Sequence, residues 1–338
     1  MKLALAGDVM LGRLVNRALC RLPPEHLWGD ALPLLRGADA AICNLECALS
    51  DGGERAHKEF AFRSDAKNVA VLRGAGIDAV SLANNHILDY GPEALQETLD
   101  TLDRAGVAHA GAGASLAEAR APALLRRAGA TLAMLSVTDN EPAWEAGPDR
   151  PGIWHVPVVR NDPRAVSLLA AVAATRAMAD LLVVAFHWGT NWGYRPEPGH
   201  REFAHALIGA GADLVFGHSC HVARGIEIDR GGVILYGAGD LIDDYAVDEF
   251  EPNDESWVFV VETSGGRTME LRAHPLLIRR FRPLHAGGAR REVMLERMTS
   301  RCRELGTTSE WDEAEGALRI AIGGARGGSR QGEALSAG

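Results

Sequence analysis

The sequence has little cysteine, no block of like charge and no long apolar run. Each shortage excludes something. The five cysteines, Cys20, Cys43, Cys47, Cys220 and Cys302, are odd in number and scattered, so the disulfide framework of a small secreted fold is not expected. No apolar stretch approaches the roughly 20 residues of a membrane-spanning helix. The opening MKLALAGDVMLG has too brief an apolar run for a signal peptide, is interrupted by Asp8 and precedes no cleavage region. It reads as a first strand, and a cytoplasmic location is the expectation. Lys plus Arg number 35 against 45 Asp plus Glu, a net charge of -10. That balance disfavours nucleic acid as a main partner, because phosphate backbones need a basic face. A bound cation would still attract anions locally.

What is present is a core-forming chain. Its 338 residues are 47% hydrophobic, enough for one large α/β domain or two smaller ones. Strand-like and helix-like segments alternate. KLALAG, DAAICNLE, IDAVSLA, ADLLVVAFHWG, ADLVFGHS and GVILYGAGD read as strands. Leu181 to Phe186 is apolar on both faces, as in a strand covered by helices. GPEALQETLDTLDRAG reads as a helix, with Pro92 near its start, Leu95, Leu99 and Leu102 at helical spacing, and Gly106 at its end. DPRAVSLLAAVAATRAMA and PGHREFAHALIGAG are similar. The alternation predicts α/β layers. After Gly232 a hairpin turning at Ser264 to Gly266 and a further strand are expected, then a helix over roughly Ala289 to Leu305. No linker or internal repeat stands out. The expected organisation is one domain over 1–285, a helical extension over 286–320 and a Gly- and Ser-rich disordered tail over 321–338. The long loop TDNEPAWEAGPDRPGIWH is placed to cover a site.

The stretch VSLANNHILDYG, Val80 to Gly91, holds two amides, an imidazole and a carboxylate within six residues, more polar groups than a turn requires. The pattern recurs. Successive strands end at Gly7-Asp8, at Asn44-Leu45-Glu46, at Asn84-Asn85-His86, at His187-Trp188-Gly189, at Gly217-His218 with His221 following, and at Gly239-Asp240. Ligands of open α/β sheets bind outside the carboxyl ends of strands, and Asp, Glu, Asn and His suit divalent metals of intermediate hardness. Each element alone has a bland reading: a turn for Asp8, an Arg partner for Glu46, a rim histidine for His187. The ordered set favours a metal site.

Seven stretches carry a resemblance: GDVMLGR (Gly7 to Arg13), NLECALS (Asn44 to Ser50), KEFAFR (Lys58 to Arg63), SLANNHILDYG (Ser81 to Gly91), HWGTNWGYRP (His187 to Pro196), GADLVFGHSCHV (Gly211 to Val222) and YGAGDLIDDY (Tyr236 to Tyr245). Together, over about residues 1 to 263, they resemble the CapA-type proteins of poly-γ-glutamate capsule synthesis, within the calcineurin-like metallophosphatase superfamily. The resemblance implies a four-layer α/β/β/α sandwich with a metal site at the sheet edge, usually of two divalent ions (Mn, Fe, Zn or Co). Asp8 matches the first metal aspartate, with Met10 where the superfamily often has a histidine. Glu46 matches the bridging carboxylate, Asn85 the amide ligand and His86 the outer histidine. His187 matches the next ligand, and His218 and His221 the final pair, here separated by two residues rather than one. Relatives often read Gly-His-His-Pro-His where Ser219 and Cys220 replace the middle residues, and Ser-Leu-Gly-Asn-Phe where this chain has Gly237 to Leu241. Cys220 is either a thiol facing the metal or a small filler. Asp240 adds a carboxylate near the site, with Asn44 a further supporting residue. Many relatives carry an amino-terminal membrane anchor, and a chain that starts on its first strand weakens a capsule role.

Asp89 either fixes the His86 tautomer or forms an Asx turn before Gly91-Pro92. Arg13, Lys58, Arg63 and Arg195, with Asn84, are the candidates for binding substrate carboxylates or phosphates. Arg195 reads equally well as a solvated charge. Trp188 and Trp192 either wall a pocket or, for Trp188, pack in the core. Bound cations would activate a water and polarise a substrate oxygen, with His86 protonating the leaving atom. Three functions follow: a hydrolase of γ-glutamyl or other amide-linked anionic substrates, a phosphomonoesterase or phosphodiesterase, and a non-catalytic polymer-binding partner of a poly-γ-glutamate synthase.

Overall fold

The structure is a computed structural model and describes residues 1–265 and 267–322. Gly266 of the expected hairpin turn and residues 323–338 of the expected tail lie outside the described residues. Two large sheets carry the fold. In the first, Lys2–Val9 pairs in parallel with Ala40–Leu45, which pairs with Ala79–Ser81 and then Ala108–Ala110. On its other side Lys2–Val9 runs antiparallel to Glu255–Ser264, which pairs with Arg267–Arg279. The second sheet runs in the order Ile226–Asp229, Gly232–Leu235, Leu214–His218, Leu181–His187, Ala130–Thr138, Ala123–Arg127, its four inner strands parallel.

Strand alternation builds the layers. Leu3 and Leu5 point between the sheets with Ile42, Met134, Val183 and Phe216. Ala4 and Ala6 point outward with Cys43 and Val80, under Leu72, Leu95, Leu99 and Leu102. On the far side, Leu135, Val184 and Val215 pack beneath Leu168, Val172, Phe203 and Leu207. The result is a four-layer α/β/β/α sandwich. Its helices begin and end where the sequence marks them. The Gly91–Ala105 helix has Pro in its first turn and stops at Gly106, whose φ of 70° is the left-handed cap that glycine adopts freely. Helices Pro163–Arg176 and Pro198–Ala210 cover the second sheet.

Two differences from the sequence reading concern the site and the carboxyl end. Gly232–Leu235 does not run on to Asp240. Asp240 instead opens a separate strand, Asp240–Ile242, that crosses over and pairs in parallel with the first strand, Asp8 opposite Asp240. The crossing turns at Gly239, whose φ is 74°. The late helix is Gly288–Glu304, and beyond it the described residues are not helical: Glu310–Asp312 and Ala317–Ala321 form strands that extend the first sheet from Arg267–Arg279. Met294, Leu295, Met298 and Cys302 of that helix enter the layer between the sheets. Each large apolar side chain so buried stabilises the fold by roughly 1.5–3 kcal/mol.

Candidate metal centre

Parallel strands deliver their carboxyl ends to one edge, and the polar residues of the sequence gather there. Asp8 lies at the end of the first strand, opposite Asn44 on one side and Asp240 on the other. The close pairing with Asp240 depends on Gly7, because a Cβ there would lie 1.8 Å from the Gly239 carbonyl oxygen. Glu46 follows the second strand, its N–H donating to the Val9 carbonyl at 3.0 Å. His187 and His218 close two neighbouring strands of the second sheet in register. His221 follows in a loop where Ser219 and His221, neither of them glycine, hold φ of 101° and 54°. Such strain persists only where surrounding contacts enforce it. One of these is the Ser219 N–H, which donates to Asp8 Oδ2 at 3.3 Å.

The donors fall into two overlapping sets. Asp8, His187 and His218 offer ligand atoms all within 4.8 Å of one another, as do Asp8, Glu46, His221 and Asp240. Asp8 belongs to both. Many of these atoms have no hydrogen-bond partner although they are buried: both carboxylate oxygens of Glu46, Oδ1 of Asn85, Nε2 of His187 and of His218, and Oδ2 of Asp240, with His187 Nε2 and Glu46 Oε1 3.8 Å apart. Native proteins rarely leave so many buried polar atoms unsatisfied, and an oxygen–nitrogen set of this kind fits a divalent cation. The supporting bonds aim the donors. Asn44 Nδ2 donates to Asp8 Oδ1 at 2.8 Å and lies 3.5 Å from His187 Nδ1. His221 Nδ1 meets Asp240 Oδ1 at 2.8 Å, and the Nδ1 atoms of His187 and His218 are 2.9 Å apart.

The electrostatics tell the same story. Burial, reinforced by the Asp240 carboxylate, raises Asp8 to about 7. Burial and the Asp8 carboxylate hold Glu46 well above the usual range. Burial pushes His218 down to about 3, and burial with the neighbouring His218 ring pushes His187 well down. For His221, burial opposes the charged ring, but the carboxylates of Asp240, Glu46 and Asp8 outweigh it and raise the imidazole. Carboxylates crowded in a dry place repel one another, and a cation among them would take the place of protons.

Outside this cluster opens a cavity of about 560 Å3. His86 lines it, held from behind. Its Nδ1 is 2.5 Å from Asp89 Oδ2, and the Phe62 ring stacks on it with centroids 4.0 Å apart. That leaves Nε2 as the ring nitrogen available to the cavity. Burial lowers the His86 pKa, partly offset by the bond to Asp89. Asp89 also accepts the Phe62 N–H at 2.7 Å and lies 3.1 Å from Lys58. Its carboxylate is committed to His86 and its neighbours, while the Gly91 N–H turns instead to the Leu88 carbonyl.

The expected substrate contacts divide. Arg13 and Lys58 line the cavity. Arg63 packs over the Tyr90 ring and donates to the Gly52 carbonyl. Asn84 is buried and spends its amide on Asn44, Leu45 and the N–H groups of His86 and Ile87. Arg195 is exposed and paired with Glu304. Those three are not among the residues that line the cavity. Trp192 lines it, whereas Trp188 is fully buried and donates to the Tyr236 carbonyl. Cys220 is a filler: its thiol donates to the Val222 carbonyl and sits where a Cβ on Gly237 would be. From the long loop, Glu141 reaches the cavity and pairs with Lys58 at 3.1 Å. Asn253 lines the cavity with no signal in the sequence, and Tyr245, which closes the YGAGDLIDDY stretch, lines it without having been singled out.

A double-sheet sandwich with carboxylate, amide and imidazole donors gathered at one edge places this chain in the calcineurin-like metallophosphatase class. Within that class, a family model described as "Bacterial capsule synthesis protein PGA_cap" matches residues 2–245, and the chain belongs to that family. It is 37% identical over 291 residues to a "Probable polyglutamine synthesis accessory protein" of Mycobacterium tuberculosis, covering 82% of this chain and 76% of the relative. It is 29% identical over 242 residues to the "PGA biosynthesis protein CapA" of Bacillus subtilis, covering 70% and 62%. A crystal structure of a hypothetical protein from Thermus thermophilus shares the fold, with a TM-score of 0.51 at 18% identity, over 82% of this chain and all of that one. No described helix is long and apolar enough to cross a membrane.

Proposed function

We propose that this chain is a metal-dependent hydrolase of amide-linked, anionic substrates of the γ-glutamyl type, acting in poly-γ-glutamate biosynthesis. The carrying observation is the set of buried donor atoms without partners on Glu46, Asn85, His187, His218 and Asp240 around Asp8. Asp8, shared between two donor sets, supports a pair of ions, and the mixed oxygen and nitrogen donors suit Mn, Fe, Zn or Co. Such ions supply a Lewis acid and an activated water when bound. The chain's own residues do the rest. Asp8, Glu46, Asn85, His187, His218 and His221 are the holding groups, and Asn44 keeps Asp8 and His187 turned inward. Asp89 fixes the His86 ring so that Nε2 moves a proton at the scissile bond. Lys58 and Arg13 orient the substrate beside Phe62 and Trp192.

The relatives named for polyglutamine synthesis and PGA biosynthesis favour an amide over a phosphoester. Arg13 pairs with Asp244 at 3.0 Å, and Lys58 with Asp89 and Glu141, which holds both cations at the cavity wall. The accessory role in the relative's name fits a synthase partner. The test is elemental analysis of protein purified without chelator, with assays on γ-glutamyl oligomers and an aryl phosphodiester. Bound metal and cleaved oligomers are expected, both lost in His187→Ala. Cleavage of the phosphodiester alone would overturn the amide reading. Polymer binding by metal-loaded protein without cleavage would replace the enzyme with a binding partner.

A further inference from the structure

A second cavity, of about 270 Å3, shares Tyr245 and Asn253 with the first. Its charged groups are nearly all spoken for. Asp244 binds Arg13, and Asp254 binds Arg279 and Arg290. Two remain. Asp243 is only 5% exposed; its Oδ1 accepts the Tyr245 N–H at 2.7 Å, while Oδ2 is buried with no partner. Arg280, in the same lining, is exposed and makes no ion pair or hydrogen bond among the described residues. It stands at the tip of the turn between Arg267–Arg279 and Arg282–His285, where Arg280 and Phe281 hold φ of 52° and 70°. Two-residue turns of this kind favour Asn and Gly. An Arg-Phe pair there is a strained conformation, the kind that persists where surrounding structure enforces it.

A buried carboxylate oxygen needs a donor, and a donor that is also cationic suits it best. A free guanidinium takes a carboxylate in a two-pronged bond. A cavity of this size admits one residue-sized group rather than a polymer. We infer that this cavity binds the free α-amino-acid end of a ligand, its ammonium on Asp243 Oδ2 and its carboxylate on Arg280. Placing that end beside the metal cavity rests on the γ-glutamyl reading, because the two cavities share Tyr245 and Asn253 and a glutamyl side chain carries its γ-carbonyl away from the α-carbon. The site would then select chain termini over internal units, which lack a free ammonium.

Calorimetric titration of the full, metal-loaded chain tests this with glutamate, glutarate (no ammonium) and 4-aminobutyrate (no α-carboxylate). Glutamate should bind, and each analogue about tenfold or more weakly, the loss of one charge-assisted contact. Arg280→Gly, which suits a positive φ, and Asp243→Asn should each weaken glutamate binding by a similar factor. If Asp243→Asn fails to fold by circular dichroism, Arg280→Gly decides alone. Glutamate that does not bind, or that binds Arg280→Gly as tightly as the parent, overturns the inference, since direct ligation of the metal would survive that change. If glutamate binding behaves as stated but γ-glutamyl oligomers are not cleaved, the proposed function fails and the binding site stands.

Discussion

Asp89 shows how much one carboxylate can settle. It touches the His86 ring, the Phe62 backbone and Lys58 at once, and it is not among the groups gathered around Asp8. Asp89→Asn should therefore lower γ-glutamyl hydrolysis by about 10–100-fold, the usual effect of losing a supporting carboxylate, with metal content unchanged by elemental analysis. A parallel fall in bound metal would make Asp89 structural instead. At this scale the sequence showed which residues stand at strand ends, and the structure gathers Asp8, Glu46 and His187 at one edge. It was uninformative where a side chain's direction decides. Asn84 and Asn85 are neighbours with the same side chain, yet one serves the backbone around it and the other presents a bare oxygen to the cavity. Nothing in the residue type separates them. Arg195 likewise follows a motif but faces solvent.

Among elements, the parallel strands were readable because they are apolar on both faces, and the Gly91–Ala105 helix because its Leu spacing and end signals agree. Ala130–Thr138 was missed although it sits beside Leu181–His187 in the second sheet. Its ATLAMLSVT mixes small and polar residues with apolar ones, and such short runs do not declare their periodicity. The misplacement of Asp240 has a different cause. Gly237 to Asp240 reads as the continuation of a strand, whereas the pairing that claims Asp240 comes from the first strand, more than 200 residues away. That pairing makes a prediction. Gly7→Ala would drive a methyl into the Gly239 carbonyl, so urea unfolding should show a loss of about 1–3 kcal/mol, and bound metal should fall as Asp8 and Asp240 part. Gly106→Ala meets no neighbour and only strains φ. It should lose about 1 kcal/mol and leave metal content intact.

For the whole molecule, α/β layering was legible from alternating elements and the four-layer sandwich only through the family resemblance, while the carboxyl-terminal strands were not legible, because their partner is distant Arg267–Arg279. Metal binding should be written into global stability. A cation that binds only the folded chain stabilises it by about 2.7 kcal/mol at a hundred times its dissociation constant. The melting temperature should therefore rise by several degrees on adding Mn, Zn or Co and fall again with chelator. No change in melting temperature with metal demonstrably bound would mean that the unfolded chain binds the metal as tightly as the folded one.

Each donor set draws from both sheets: Asp8, Glu46 and Asp240 from the first, His187, His218 and His221 from the second. Between the sheets the packing is mostly apolar, with a few directional contacts such as Ser81 Oγ to Ser136 Oγ at 2.8 Å, and apolar packing resists separation more than sliding. An ion seated across that seam would act as a rivet. A slip of one residue step, about 3.3 Å along a strand, would tear its coordination apart, so the candidate metal centre and the alignment of the two halves would be one and the same fastening.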